Sequence, residues 1–272
     1  MNKIWEIYFS PTGTTEKVVH KIGQSLAEKQ KCETMTYSFT LPSARNSFPH
    51  IETEDLVIFG CPTYAGRLPN LLLKYLDTIE GNNAAAVAIV TYGNRHFDNS
   101  LSELCHILDT HHFHTVGAGA FACEHSFSFT LGQGRPDTKD FAEIEGFAER
   151  LYKKLQENPP YAPLRVPGLS AKESFGGYYQ PQDRNGTFID IRKVKPLTSE
   201  KCIACKLCST VCPMGAIDPD DVSRVTGICI KCGACIKKCP VSAKYYDDAG
   251  YLYHKTELEE LYRRRGENFI YL

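Results

Sequence analysis

Eight of the twelve cysteines in this 272-residue chain fall between Cys202 and Cys239. Cys202, Cys205, Cys208 and Cys212 are followed by Pro213, and Cys229, Cys232, Cys235 and Cys239 by Pro240. Both runs read Cys-x2-Cys-x2-Cys-x3-Cys-Pro, and the second repeats the first after 27 residues. Thiolates are soft ligands, and three of them at such short spacing wrap a tight loop around a polynuclear iron–sulfur centre. Zinc sites favour paired Cys-x2-4-Cys units, a different pattern. No secretion signal precedes the cysteines, so they read as metal ligands rather than a disulfide scaffold. The spacing therefore predicts two 4Fe-4S clusters.

A second chemistry lies near the N-terminus. Ser10-Pro11-Thr12-Gly13-Thr14-Thr15 supplies four hydroxyls, a glycine and the amides that open a helix, a set able to surround a phosphate. It lacks the Gly-Lys-Ser/Thr ending of a nucleoside triphosphate loop, and an uncharged cradle suits a phosphate monoester. The same residues also read as a Ser/Thr helix cap.

The elements that must position this loop follow from hydrophobic period. Ile4–Phe9, Leu56–Gly60, Ala84–Tyr92 and Thr115–Ala122 are short apolar runs bounded by turn residues, as in strands buried on both faces; Cys32–Tyr37 is a weaker fifth. Thr14–Lys29, Leu68–Ile79, Leu101–Thr110 and Asp140–Gln156 carry apolar residues at helical spacing. Alternation of this kind predicts an α/β fold, a doubly wound five-stranded parallel sheet with ligands beyond the carboxyl ends of its strands.

Those strand-end loops carry a family resemblance. Ser-x-Thr-Gly-Thr-Thr after the first strand resembles the FMN phosphate loop of the flavodoxins, and Cys61–Pro69 and Thr91–Arg95 stand where flavodoxin-like proteins hold the isoalloxazine ring. The resemblance implies FMN contacts from Ser10, Thr12, Gly13, Thr14 and Thr15, from Pro62, Thr63, Tyr64, Ala65 and Gly66, and from Thr91, Tyr92, Gly93, Asn94 and Arg95. Tyr64 and Tyr92 are its candidates for ring stacking, with ordinary packing as the other reading. The longer loop Cys123–Pro136 brings His125 and Ser126 to the same side, where His125 reads as a flavin or substrate contact or as a solvated loop residue. The cysteine runs are similar to those of bacterial ferredoxins, in which the fourth cysteine of each run serves the other cluster. Crossed ligation would give one cluster Cys202, Cys205, Cys208 and Cys239, and the other Cys229, Cys232, Cys235 and Cys212. The chain as a whole resembles flavodoxin–ferredoxin fusion proteins of anaerobic prokaryotes.

Charge and composition divide the chain accordingly. Residues 1–157, the flavin domain, carry 14 basic and 19 acidic side chains; residues 196–246, the small α+β dicluster domain, carry 7 and 4. Between them, 158–195 is rich in proline and glycine but holds aromatics such as Tyr161, Phe175, Tyr178 and Tyr179, and so reads as a docked linker; 247–272 reads as a helix and tail. Two clusters of about −2 each would leave the second domain near neutral, so docking should depend on packing by linker and tail. Net charge −1 argues against nucleic acid. The longest apolar run, Ala84–Val90, argues against a membrane span. The chain is expected in the cytoplasm. The expected function is electron transfer between the clusters and FMN, exchanging electrons with redox enzymes or soluble carriers and having no catalytic residue of its own. A flavin-dependent reductase with the clusters as electron inlet is the alternative, supported by the 124–136 loop.

Overall fold

The computed structural model describes residues 1–157, 161, 164–167 and 175–272. Pro159, Pro160 and Pro163 of the linker lie outside the described residues. The first half runs β1 (Lys3–Tyr8), α1 (Thr14–Gln30), β2 (Glu33–Ser38), β3 (Leu56–Pro62), α2 (Leu73–Leu76), β4 (Ala85–Tyr92), α3 (Ser100–Thr110), β5 (His114–Ala122) and α4 (Thr138–Leu155). β1 to β5 are parallel, in the order β2-β1-β3-β4-β5. This is the flavodoxin-like winding, which reverses direction between β1 and β3 and opens a crevice there.

Side-chain alternation builds a core on each face of the sheet. Ile7, Val57, Phe59, Ala88, Val90 and Tyr92 enter one core with residues of α2 and α3. Ile4, Tyr8, Leu56, Ile58, Val87 and Ile89 enter the other with residues of α1 and α4. Both faces of β3 and β4 are covered, which is why these strands read as continuous apolar runs. β2 lies at the edge and is largely exposed, which accounts for its weaker pattern.

Two expectations are corrected. The helix expected over Leu68–Ile79 is a 3-10 turn at Asn70–Leu72 followed by the four-residue α2. Pro69 holds a non-helical backbone (ψ 115°), and the Thr78 hydroxyl donates to the Tyr75 carbonyl just beyond α2. The sheet has six strands, because β8 (Phe269–Tyr271) pairs antiparallel with β5 through Ala118–Tyr271, Gly119–Ile270 and Ala120–Phe269. Without β8 the outer side of β5 would present unpaired backbone groups.

The second half contains β6 (Leu197–Thr198), α5 (Leu207–Thr210), α6 (Ala234–Lys237), β7 (Lys244–Tyr245) and α7 (Ala249–Leu261), with β6 and β7 paired antiparallel. No helix among the described residues is long and apolar enough to cross a membrane.

A buried ionic knot ties the tail to the first half. Arg135 and Asp140 pair bidentately at 3.0 and 2.6 Å, with side chains 4% and 1% exposed. Arg135 also donates to the Gly266 carbonyl at 2.8 Å, while Arg265 and Asn268 donate to Asp140 at 2.9 and 3.0 Å. Burial opposes ionisation of Asp140, but hydrogen bonds from Arg135, the Asp137 amide and Asn268, with the Arg135 charge, bring its pKa below the ordinary value. Replacing Asp140 by Ala strands Arg135 and should lower stability by about 3–5 kcal/mol in urea unfolding. The wild-type contribution is present above the unfolded carboxyl pKa of about 3.9 and lost as pH falls through the lower folded value. An Asp140→Ala protein as stable as wild type at pH 7 would contradict this.

Candidate functional site

Ser10 to Thr15 join the end of β1 to α1. Gly13, which opens α1, is left-handed (φ 87°) and has no side chain to cap the helix. The Ser10 hydroxyl accepts from the Glu16 amide at 3.0 Å, and the Ser10 amide donates to Thr40 Oγ1 at 2.8 Å. Thr15 is buried with its hydroxyl 2.7 Å from that of Thr91, so this side chain ties α1 to β4, whereas Thr12 and Thr14 remain partly exposed.

The loop after β3 is a tight hairpin. Tyr64 and Arg67 pair through two backbone hydrogen bonds, at 2.8 and 3.1 Å, across Ala65 (φ 51°) and Gly66 (φ 78°). Two successive left-handed residues make this a type I′ turn. A Cβ on Gly66 would stand 2.5 Å from Asp98 Oδ2, so only glycine fits. Glu103, buried in α3, holds the hairpin by a bidentate pair with Arg67 (2.8 and 2.6 Å) and by accepting from the Leu68 amide at 2.8 Å. Thr63 Oγ1 lies 2.7 Å from Ser100 Oγ. The linker packs here: the Tyr179 amide donates to the Ala65 carbonyl, the Tyr178 hydroxyl to that of Leu68, and the Arg67 guanidinium stands over the Phe175 and Tyr178 rings.

The loop after β4 differs from the sequence expectation. Tyr92 takes the face of β4 that points under α3, packs against Phe97 and donates its hydroxyl to the Glu267 carbonyl. It is therefore a packing residue rather than a stacking one, and the expectation of a flavin-stacking Tyr92 is corrected. Asn94 (φ 67°) is likewise engaged by the tail, donating to the Tyr262 and Arg264 carbonyls at 2.7 Å and accepting from the Gly266 amide. Arg95 stands over the Tyr179 ring.

His125 lies against Gly93, whose missing Cβ leaves room for the imidazole. Its Nδ1 accepts from the Phe127 amide at 3.0 Å, which puts the proton of the neutral ring on Nε2. Burial, then the nearby His254, Lys237 and Arg95, push its pKa down to about 3.

The eight cysteines of the two runs surround two cavities. One is lined by Cys212, Cys229, Cys232 and Cys235, the other by Cys202, Cys205, Cys208 and Cys239. The fourth cysteine of each run thus lines the cavity of the opposite run. Among the described residues, no three His, Cys, Asp or Glu side chains converge on a point suited to a single metal ion. Backbone amides point at four of the sulfurs: the Ala204 and Lys231 amides donate to Cys202 and Cys229 Sγ at 3.4 Å, and those of Ala216 and Ala243 to Cys212 and Cys239 at 3.3 and 3.2 Å.

The Cys212/Cys229/Cys232/Cys235 cage meets the strand-end loops. Tyr64 stands beside it, its phenol pKa raised by burial and then by the Cys232, Cys61 and Cys229 sulfurs. Gly233 is left-handed (φ 73°) and abuts the Ser126 carbonyl, where a Cβ would collide. Lys237 pairs with Glu124, donates to the Ser128 carbonyl and stands over the Phe129 ring. Arg45 donates to the Pro213 carbonyl from the loop that also holds Ser10. Sequence reasoning missed Lys237, Glu124 and Arg45, whose partners lie more than 100 residues away.

Residues 17–128 match the family described as NADPH-dependent FMN reductase, and residues 201–244 the 4Fe-4S dicluster domain. The chain joins a flavodoxin-like domain to a 4Fe-4S dicluster domain. Similar solved structures include an archaeal flavodoxin (15% identity, TM-score 0.41, covering 58% of this chain and 100% of that one). An apo NADH:FMN oxidoreductase (16%, 0.42) covers 59% and 94%, and rubredoxin oxygen:oxidoreductase from the anaerobe Desulfovibrio gigas (18%, 0.40) covers 57% and 36%. No curated protein matches this chain.

The environment of His125 makes a direct prediction. In the full-length protein, nitrogen-detected NMR should find the His125 imidazole neutral, with the proton on Nε2, from pH 8 down to about 5. A His125 titration midpoint above 6 would contradict its placement against Gly93 and the Phe127 amide.

Proposed function

We propose that the chain carries electrons between two 4Fe-4S clusters and FMN within one molecule, and exchanges them with other redox proteins or soluble carriers. One observation carries the reading: the Cys212/Cys229/Cys232/Cys235 cage abuts the Ser126 carbonyl through Gly233 and lies near Tyr64, at the strand ends where a flavodoxin-like sheet takes its ligand. In this reading Cys202, Cys205, Cys208 and Cys239 hold one cluster, and Cys229, Cys232, Cys235 and Cys212 the other. The residues suit such groups. Four sulfurs enclose each cavity without converging on a point, the arrangement of a polynuclear cluster rather than a tetrahedral ion.

FMN has a matching cradle. Ser10, Thr12, Gly13 and Thr14, with the amides that open α1, would hold the phosphate. Pro62 to Gly66, the backbone of Thr91 to Arg95, and His125 would border the ring. When bound, FMN can accept one or two electrons and so links one-electron carriers to two-electron chemistry. The protein's own part is positional. Glu103 fixes the Tyr64 hairpin through Arg67, Gly233 lets the second cage close on the loop, and Lys237 clasps Glu124 across the junction. We read 1–157 as the flavin domain, 158–195 as the linker, 196–246 as the dicluster domain, and 247–272 as a tail serving the first. A second reading, reduction of a small molecule at the flavin, is favoured by the neutral Nε2–H of His125 beside Gly93.

Anaerobically purified protein should contain about eight irons, eight acid-labile sulfides and one FMN per chain. Cys212→Ser and Cys232→Ser should perturb one electron paramagnetic resonance signal, and Cys239→Ser and Cys205→Ser the other. Zinc in place of iron after anaerobic reconstitution would overturn the cluster reading, and the opposite pairing would overturn the crossed cages.

A further inference from the structure

The 27-residue repeat extends well beyond the cysteines. Left-handed residues recur in register at Ala204 and Lys231 (φ 54° and 56°), Lys206 and Gly233 (61° and 73°), and Gly215 and Ser242 (58° and 51°). Backbone pairing recurs too: Thr198 opposes Lys244, and 27 residues from each partner Val225 opposes Ile217. The two halves therefore place Ile217 and Lys244 at the same point of the fold, and both are buried, 4% and 3% exposed. Ile217 lines the Cys212/Cys229/Cys232/Cys235 cage, and Lys244 lines the Cys202/Cys205/Cys208/Cys239 cage.

At this point the repeat breaks chemically. One cage has the apolar pair Ile217 and Val225. The other has Lys244 and Thr198, with Lys244 Nζ donating to Thr198 Oγ1 at 2.6 Å and to the Val222 carbonyl. A lysine is buried only when its ammonium finds partners, and here both acceptors come from within the dicluster domain. No acidic side chain is among its hydrogen-bond partners, so its charge is not cancelled by a direct ion pair. Lys244 lines the Cys202/Cys205/Cys208/Cys239 cage directly, and its charge also reaches Cys235 of the other.

We propose that Lys244 is a redox-tuning residue that raises the reduction potential of the cluster held by Cys202, Cys205, Cys208 and Cys239. The inference rests on the two-cluster reading above. Reduction adds one electron to that cluster and takes its charge from about −2 to about −3. A fixed cation lining the cage stabilises the more negative state, and low local permittivity enlarges the effect. Cationic groups also stand beside the second cage, where Lys231 donates to the Cys229 carbonyl and Arg45 to that of Pro213. The contribution of Lys244 is accordingly read from the change on substitution, not from the order of the two potentials. The device makes the reduced state of the cluster remote from Tyr64 more favourable than a neutral residue at this point would.

The test is a potentiometric titration, followed by electron paramagnetic resonance, of wild-type and Lys244→Met protein reconstituted anaerobically. Each signal is assigned with Cys205→Ser and Cys232→Ser. The Met variant should lose about tenfold in the reduction equilibrium of the first cluster, about 59 mV for one electron, with at most a third of that shift at the second. Lys244→Arg should keep the wild-type value, which a merely packing role would not require. If the Met variant does not load eight irons, Lys244→Gln, neutral and still able to bond Thr198, is read the same way. Equal shifts at both clusters, or none, in protein with full iron content would overturn the proposal. A wild-type protein without two clusters would instead overturn the reading beneath it.

Discussion

The close approach of Gly233 to the Ser126 carbonyl is the contact on which the arrangement depends. No residue with a Cβ can occupy that point without pushing the dicluster domain away. Because Gly233 lies between Cys232 and Cys235, the separation of the second cage from the strand-end loops is set by backbone meeting backbone, which yields little. Lys237, one turn further on, adds the pair with Glu124, and Arg45 grips the Pro213 carbonyl on the other side of the same cage. Contacts to Pro213 on one side and to Gly233 and Lys237 on the other thus hold one cage against the flavodoxin-like loops.

The linker and the tail complete this arrangement from the flavodoxin-like side. Tyr178 and Tyr179 fasten the Tyr64 hairpin, while Asn268, Gly266 and β8 fasten the loop after β4 and the outer side of β5. Packing by these two segments was the expectation from net charge, and the local Lys237–Glu124 pair adds to it. A bound flavin would meet loops braced from behind, with less freedom to reorganise when its charge changes.

Much of this was legible in the sequence because it depends on period and spacing. The five parallel strands follow from apolar runs, and the repeat of the cysteine runs from a count of residues. Tyr92 and Asn94 are the opposite case, with partners that spacing does not reveal. Both stand in the expected loop, but their partners are carbonyls and an amide near residue 265, and backbone groups leave no trace in a residue's identity. β8 escaped notice because three residues, Phe269-Ile270-Tyr271, carry no resolvable alternation. The helix expected at Leu68–Ile79 failed because apolar spacing continued past a proline that the backbone could not ignore. Lys244 is an intermediate case: the repeat alone marks it as the odd residue, and only the structure makes it a buried cation beside a cage.

The central claim is that electrons pass between the second cage and the flavin inside one chain. Rapid one-electron reduction of the fully loaded protein under anaerobic conditions, followed by cluster bleaching and flavin absorbance together, tests it most directly. The account predicts that electron exchange between cluster and flavin is first order, with a rate constant unchanged over a tenfold range of protein concentration. A rate constant rising in proportion to protein concentration would mean that electrons pass between molecules, and would contradict it.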